Sequence, residues 1–213
     1  MNRKKMLQLL SILAVLVLII SSASAENIDP YEDGSQYGYG ENVGWLNFEP
    51  GQGPGVTVSG QKLTGFVWAE NIGWINLSPV YGGVFNDGAG NLSGYAWGEN
   101  VGWINFNPQV PGDDAHYGVT IDREGNFSGW AWGENIGWIH FQSVEPVPYK
   151  VRACVVTLED VANFAMFWLV SGDWLIPADL NQSSNVDFVD YSILASYWLD
   201  YCPDGWQLKL IPR

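Results

Sequence analysis

Basic residues, cysteines and histidines are all scarce in this chain of 213 residues. It contains nine Lys and Arg, two Cys and two His, against 23 Asp and Glu, and its formal net charge is −14. Nucleic acid is an unsuitable partner for such a chain, because neutralising phosphates requires clustered Lys and Arg. The two histidines, His116 and His140, lie in no pattern that resembles a zinc site or a Ser-His-Asp set. We therefore predict a protein that is not an enzyme and does not bind nucleic acid.

Long apolar runs are missing after the first 25 residues. Within those 25, three basic residues precede an apolar stretch at 9–20, and a small-residue Ala-Ser-Ala sequence ends at Ala25. This order is typical of a cleaved signal peptide, so we predict a signal peptide over 1–25, a secreted or cell-surface protein, and no membrane span after cleavage. An uncleaved anchor is the alternative, although the run is short for a spanning helix. Cleavage would leave six bases against 23 acids, a formal charge of −17.

The two cysteines, Cys154 and Cys202, are an even number in a chain that we expect to be exported. Exported proteins meet an oxidising compartment, in which pairs of cysteines form disulfides. One disulfide between them is therefore the prediction, and two free buried thiols are the alternative.

Glycine, asparagine and tryptophan are abundant from residue 26 to residue 141, where one motif occurs four times. FVWAENIGWINL, YAWGENVGWINF and WAWGENIGWIHF are complete copies, and YGYGENVGWLNF is a degraded one. The tryptophans that follow the motif's glycine, at 45, 74, 103 and 138, are spaced by 29, 29 and 35 residues, which is typical of repeat architectures. Each complete copy extends to a strand-turn-strand-turn-strand pattern. The pattern predicts an all-β antiparallel repeat array of three full three-stranded units plus a partial one.

The recurring Glu-Asn-Val/Ile-Gly sequence is either a turn or part of a site. As a turn it would use Asn and Gly because both accept left-handed backbone conformations. Its glutamates do not resemble the unequal carboxylate pair of a glycosidase, because repeated residues have repeated environments.

The strands beside this sequence carry aromatic and aliphatic side chains in alternation. In WINF, Trp103 and Asn105 point one way, while Ile104 and Phe106 point the other. The aromatic face either packs between neighbouring units or stacks on sugar rings while the Asn amides bind hydroxyl groups. The candidate glycan-binding residues are Trp68, Trp74, Trp97, Trp103, Trp132 and Trp138.

The composition changes after residue 141. The segment 142–150, QSVEPVPYK, carries two prolines and is predicted to be a linker. Beyond it, two stretches at 156–169 and 188–199 have helical periodicity and end alike, in FWL and YWL. Thr157 and Asp187 are the predicted N-caps, each followed three residues later by an Asp. We therefore predict a duplicated helical module over 151–203 and a C-terminal tail over 204–213.

Oxygen-bearing side chains precede the second helix at the spacing of an EF-hand calcium loop. Positions 1, 3, 5, 7, 9 and 12 of such a loop fall on Asp179, Asn181, Ser183, Asn185, Asp187 and Asp190. Asn185 would contribute its backbone carbonyl. One weakly held Ca²⁺ is predicted here, and helix capping by the same aspartates is the alternative. The first helix has no carboxylates at the corresponding early positions, so no second ion is expected.

Residues 150–202, with ADLN followed by VDFVDYSILASYWL, resemble a type I dockerin in degenerate form. The resemblance covers roughly a quarter of the chain. It implies a pair of loop-helix units, calcium as a cofactor, a cohesin-like protein as docking partner, and a role in polysaccharide binding or catabolism. Two departures weaken the calcium loop: Ser183 stands where Asp is usual, and Ser184 stands where Gly is usual.

Taken together, these features predict an α+β protein of two domains, the β-repeat array followed by the small two-helix dockerin-like module. We expect the module to attach the array to a cohesin-type or surface partner, with polysaccharide as a further ligand. One alternative is a structural cell-surface repeat protein without cohesin docking. The other is a carbohydrate-binding module that acts through its Trp and Asn faces.

Overall fold

A computed structural model describes residues 26–172, 175–203 and 205–210. The predicted signal peptide lies outside this part of the chain. Within it, no helix is long and apolar enough to cross a membrane. The strands are β1 Tyr37–Gly40, β2 Gly44–Asn47, β3 Val56–Val58, β4 Lys62–Ala69, β5 Gly73–Asn76, β6 Gly83–Asn86, β7 Leu92–Gly98, β8 Gly102–Asn105, β9 Thr120–Ile121, β10 Phe127–Ser128, β11 Trp130–Gly133, β12 Gly137–His140, β13 Gln142–Ser143 and β14 Tyr149–Lys150.

Eight of these strands close into an antiparallel barrel. Its hydrogen-bonded order is β1-β2-β4-β5-β7-β8-β11-β12, and β12 pairs back with β1. Four hairpins therefore build the wall, and the turn of each carries one Glu-Asn-Val/Ile-Gly copy. The predicted antiparallel β-structure is confirmed, and the array is a closed barrel. The degraded first copy contributes a full hairpin like the other three.

Side-chain alternation fills the barrel with aliphatic residues. Leu46, Ile75, Ile104 and Ile139, at equivalent positions of the four hairpins, are each 3% exposed or less. An eight-stranded barrel has just enough interior for its own side chains, so these residues form a packed core. Branched residues from the turns pack at one end of the core, and four phenylalanines, Phe48, Phe106, Phe127 and Phe141, pack together at the other with ring centroids 5.7–6.2 Å apart.

The hairpin turns are tight, and only their glycines adopt the left-handed conformation. In each turn a backbone N–H donates to the carbonyl three residues earlier, at 3.1–3.2 Å. The glycine that follows has a φ between +75° and +82° at all four positions, from Gly44 to Gly137. None of the four asparagines has a positive φ. The four asparagines do lie in turns, as predicted, but their backbone is not left-handed, so only the glycines use that conformation.

The segment 142–150, which was predicted to be a linker, folds as a hairpin of β13 and β14. The chain then continues along the barrel, because Val151 forms a bridge with Gln36 and Ala153 with Ile28. Val151 and Ala153 are both buried in the barrel core.

Two helices follow, α1 Leu158–Met166 and α2 Phe188–Ser196. Both begin after the predicted N-caps. The backbone N–H of Thr157 donates to Asp160 at 2.8 Å, and that of Asp187 donates to Asp190 at 2.9 Å. Each helix ends three residues before the predicted limit, because the following turns carry a leucine with positive φ, Leu169 in one case and Leu199 in the other.

The predicted disulfide between Cys154 and Cys202 is confirmed, with its Cα atoms 5.3 Å apart. It joins the segment that enters α1 to the segment that leaves α2. The predicted tail also packs against this module: Leu208 is fully buried, and the Lys209 ammonium forms an ion pair with the buried Asp160 carboxylate. The Trp206 indole N–H donates to the same carboxylate at 2.7 Å.

Candidate functional site: aromatic grooves on the barrel wall

Each hairpin carries one pair of aromatic rings on the outer wall of the barrel. The two residues of a pair face each other across the hairpin, with centroids 4.7–5.1 Å apart and ring planes inclined by 61–66°. They lie outside because the residues between them in sequence point into the core. The pairs are Tyr39–Trp45, Trp68–Trp74, Trp97–Trp103 and Trp132–Trp138.

Three open grooves run between successive hairpins. Groove 1, between the first and second hairpins, has a volume of about 590 Å³ and is lined by Asn47, Trp68, Trp74 and the loop at 50–52. Groove 2, between the second and third hairpins, also has a volume of about 590 Å³. Groove 3, between the third and fourth, has a volume of about 660 Å³. The three grooves are related by the repetition of the hairpins around the barrel.

Grooves 2 and 3 have the same composition at equivalent positions. Groove 2 is lined by Phe66, Trp74, Asn76, Trp97, Glu99 and Asn100. Groove 3 is lined by the counterparts Tyr95, Trp103, Asn105, Trp132, Glu134 and Asn135, with Tyr81 from a neighbouring loop. None of the residues that line the three grooves is Lys or Arg. All three grooves are therefore aromatic and polar. Grooves 2 and 3 each carry one acidic side chain as their only charge, and no charged side chain lines groove 1.

Strand register places a tryptophan opposite an asparagine in every groove. Trp68 pairs with Asn47, Trp97 with Asn76, and Trp132 with Asn105. The side-chain oxygen of each asparagine accepts the backbone N–H two residues later, at 2.9 Å. Its Nδ2 makes no hydrogen bond with any described part of the chain. Each groove thus presents a flat ring beside an amide donor that can bind a ligand.

The fourth interval, between the fourth and first hairpins, has the same register but different residues. Here Tyr39 pairs with His140, and Tyr149 of β14 lies over the pair. The Tyr149 hydroxyl and His140 Nδ1 are 3.2 Å apart.

Five of the six candidate tryptophans line the grooves, namely Trp68, Trp74, Trp97, Trp103 and Trp132. Trp138 does not: Tyr117 packs on it at 5.5 Å, and Trp130 lies 6.2 Å away. Strand alternation had already placed Asn105 on the aromatic face and its amide as a hydroxyl-binding group. The motif glutamates Glu99 and Glu134 were not among the candidates. The glutamates belong to turns, whose approach to a neighbouring hairpin is set only by the closure of the barrel.

In the predicted calcium loop, Asp179 and Asp190 accept hydrogen bonds from backbone N–H groups of the loop itself. The two Asp179 oxygens accept the backbone N–H groups of Ser183 and Ser184, at 2.9 and 2.7 Å. The two Asp190 oxygens accept those of Asn181 and Asp187, at 3.1 and 2.9 Å. Asp187 caps α2, Asn181 accepts the Ser183 N–H, and the Ser183 hydroxyl donates to the Asn185 carbonyl. In the described residues, no group of three or more His, Cys, Asp or Glu side chains could hold a metal ion.

Calcium binding by this loop therefore stays a prediction. The dockerin resemblance likewise stays an interpretation of the sequence at 150–202. The chain matches no family model, no curated protein and no solved structure.

Proposed function

We propose that this protein is an extracytoplasmic, non-catalytic polysaccharide-binding protein whose barrel holds sugar rings in its three aromatic grooves. One observation carries the proposal: three equivalent grooves each place an outward-facing tryptophan opposite an asparagine with an unused amide donor. A single exposed aromatic residue is ordinary on a protein surface, but a repeated row of them needs a partner that covers apolar area.

The chemistry of the grooves suits a sugar chain. An indole ring offers a large, flat, apolar surface with little conformational entropy to lose, which matches the C–H face of a pyranose. The asparagine amide beside it provides a directional donor for a ring hydroxyl. Because the grooves are open along the outer wall, they favour an extended polymer over a small molecule that must be enclosed.

The motif glutamates support binding rather than hydrolysis. Glu99 and Glu134 are exposed and occupy equivalent positions in grooves 2 and 3. Glycoside hydrolysis requires two carboxyl groups with different pKa values on either side of one bond. Glu99 and Glu134 lie in separate grooves and so do not flank one bond, and a hydrogen-bonding role toward sugar hydroxyl groups is the simpler one.

Retention on insoluble polysaccharides tests this function, with tryptophan substitutions graded by the number of grooves that they touch. Trp97→Ala, which alters grooves 2 and 3, should reduce retention more than Trp103→Ala, which alters groove 3 alone. Trp138→Ala is the matched control, because Trp138 belongs to an equivalent pair but lines none of the three grooves. Equal losses from Trp138→Ala and Trp103→Ala, at equal stability, would contradict the proposal, as would no retention of the unmodified protein.

We propose a second function, partner docking, for the helical module. α1 and α2 begin with Leu158 and Phe188, which are 74% and 75% exposed, and the leucines that follow the helices, Leu169 and Leu199, are exposed as well. Large apolar side chains at matching positions of a duplicated module favour attachment to a cohesin-type or surface partner. The rival is a structural surface protein in which the module is only a folded end.

Capture of partners from the source secretome tests docking. The unmodified protein should retain a partner that a Leu158→Ser and Phe188→Ser double variant loses. Melting curves should show that the double variant is folded, because both side chains are exposed. If the two proteins capture the same partners, the exposed side chains are not the docking surface.

A further inference from the structure

We infer that the fourth interval of the barrel is a fourth copy of the groove site, and that the chain occupies this copy with its own Tyr149. This inference rests on the proposed function and specifies its ligand. Each open groove would take one uncharged, hydroxyl-bearing six-membered ring, with a ring hydroxyl on the asparagine amide, so that one molecule has three sites.

Strand register makes the fourth interval equivalent to the open grooves. Trp132 pairs with Asn105 in groove 3, and Tyr39 pairs with His140 at the same register in the fourth interval. The hairpins therefore present an aromatic ring opposite a hydrogen-bonding side chain at all four positions around the barrel. His140 takes the place that asparagine holds in the other three.

Tyr149 places its ring against the aromatic pair of the first hairpin and its hydroxyl against His140. Its ring centroid lies 5.2 Å from that of Trp45, edge to face, and 6.2 Å from that of Tyr39. Its hydroxyl lies 3.2 Å from His140 Nδ1, so the one polar atom of the ring meets the residue that corresponds to Asn105. The His140 ring is held in turn by stacking on Trp130, with centroids 4.0 Å apart. A hydroxyl-bearing six-membered ring is therefore already accommodated at this register.

The hydrogen bond in the fourth interval joins two uncharged groups at neutral pH. Burial lowers the pKa of His140 below its usual value of 6.5 and raises the pKa of Tyr149 above 10.0. The phenol thus resembles a neutral sugar hydroxyl in both shape and charge.

The charges in and around the grooves further restrict the ligand to uncharged sugars. Glu99 and Glu134 line grooves 2 and 3, no basic side chain lines any of the three, and the whole chain carries a net charge of −14. Uronic acids and sulfated sugars would meet like charge in grooves 2 and 3, and the net negative charge of the whole chain would also disfavour them in groove 1. Neutral hexose chains fit the site, and anionic chains do not.

Stoichiometry distinguishes this inference from the proposed function on which it rests. Cellotriose, mannotriose and trigalacturonate would be titrated into the protein and the bound ligands counted by native mass spectrometry. We expect a maximum of three bound molecules of either neutral trisaccharide and none of trigalacturonate. Tyr149→Ala should raise the maximum to four, whereas Tyr149→Phe, which keeps the ring in place, should leave it at three.

A second set of variants keeps the inference testable if Tyr149→Ala fails to fold. Asn47→Ala, Asn76→Ala and Asn105→Ala each remove the amide from one groove, and each should lower the maximum from three to two. If neither neutral trisaccharide binds, both the proposed function and the inference are overturned. Binding at one site only, or a maximum unchanged by folded Tyr149→Ala, leaves the polysaccharide-binding function standing and overturns the inference.

Discussion

Asn135 Nδ2 donates a 3.0 Å hydrogen bond to the carbonyl oxygen of Val101, from the turn of the fourth hairpin to the turn of the third. Equivalent bonds of 3.0–3.1 Å join Asn100 to Ile72, Asn71 to Val43, and Asn42 to Ile136. The last of these connects the first hairpin to the fourth, so the four bonds form a closed ring at one end of the barrel. The side chain of each motif asparagine thus binds the neighbouring hairpin. The backbone conformation at these positions does not itself require asparagine.

Removing one of these four hydrogen bonds should destabilise the barrel. We expect Asn100→Ala to lower the free energy of unfolding by about 0.5–1.5 kcal/mol, the usual loss for one hydrogen bond. Gly102→Val should cost about 1–3 kcal/mol, because Gly102 has a φ of +82° that a branched residue adopts only with strain. Urea unfolding measures both values. Glu99→Gln is the control from the same turn and should stay within about 0.5 kcal/mol; a cost equal to that of Asn100→Ala would contradict the assigned roles.

The buried pair of Lys209 and Asp160 should be the most sensitive point of the helical module. Their side chains are only 3% and 0% exposed. Lys209→Ala would leave the carboxylate buried without its cation, so we expect a loss of about 3–5 kcal/mol in the free energy of unfolding. Lys150→Ala is the matched control: its ammonium lies 3.9 Å from Asp33 in a pair that is 39% and 46% exposed, and its removal should cost less than about 1 kcal/mol. Similar losses in the two variants would show that the buried pair does not stabilise α1.

Glu49 should make stability fall as the pH rises through the acidic range. Burial, with the nearby carboxylates of Glu26, Asp29 and Glu32, raises the pKa of Glu49 from 4.5 to about 7. Between these values the folded state keeps a proton that the unfolded state has released, so raising the pH favours unfolding. Glu49→Gln should therefore stabilise the protein relative to the unmodified chain, by a margin that grows from pH 4.5 to pH 7 and then levels off.

Partial exposure of Glu49 limits this margin to about 1 kcal/mol after solvent screening. Thermal melts of the two proteins at matched pH values measure it. A margin that is the same at pH 4 and pH 8 would exclude a raised pKa at Glu49 as its cause.

Calcium binding by the loop from Asp179 to Asp190 is predicted to be weak. The carboxylate oxygens of Asp179 and Asp190 already accept backbone N–H groups, which compete with an ion for their lone pairs. A Kd of about 1 mM is the weak end of calcium loops, at which 10 mM calcium would add about 1.4 kcal/mol of stability. Melting temperatures with calcium or with EDTA test this. The rise should vanish in Asp179→Asn, whose one amide oxygen can keep one of the two backbone hydrogen bonds that Asp179 accepts. No rise in the unmodified protein would refute the prediction.

Features that depend on a few consecutive residues could be predicted from the sequence. Alternation placed Trp103 outside and Ile104 inside, and the helix starts after Thr157 and Asp187 followed from the capping pattern. These results hold because strand periodicity and helix capping are set by neighbours within a few positions. Local composition did not indicate the short hairpin in the segment 142–150, which its two prolines predicted to be a linker.

Only the tertiary structure decided how these elements meet. Closure of the barrel pairs β1 with β12, about a hundred residues later in the chain, and no local pattern specifies that partner. The grooves, the four asparagine hydrogen bonds between hairpins and the contact of Tyr149 with His140 all follow from this closure. The pairing of Lys209 with Asp160 likewise joins residues 49 positions apart. The sequence by itself determined which side chains face outward and where the turns lie, because those depend on local backbone geometry; the fold decided which of them share a site.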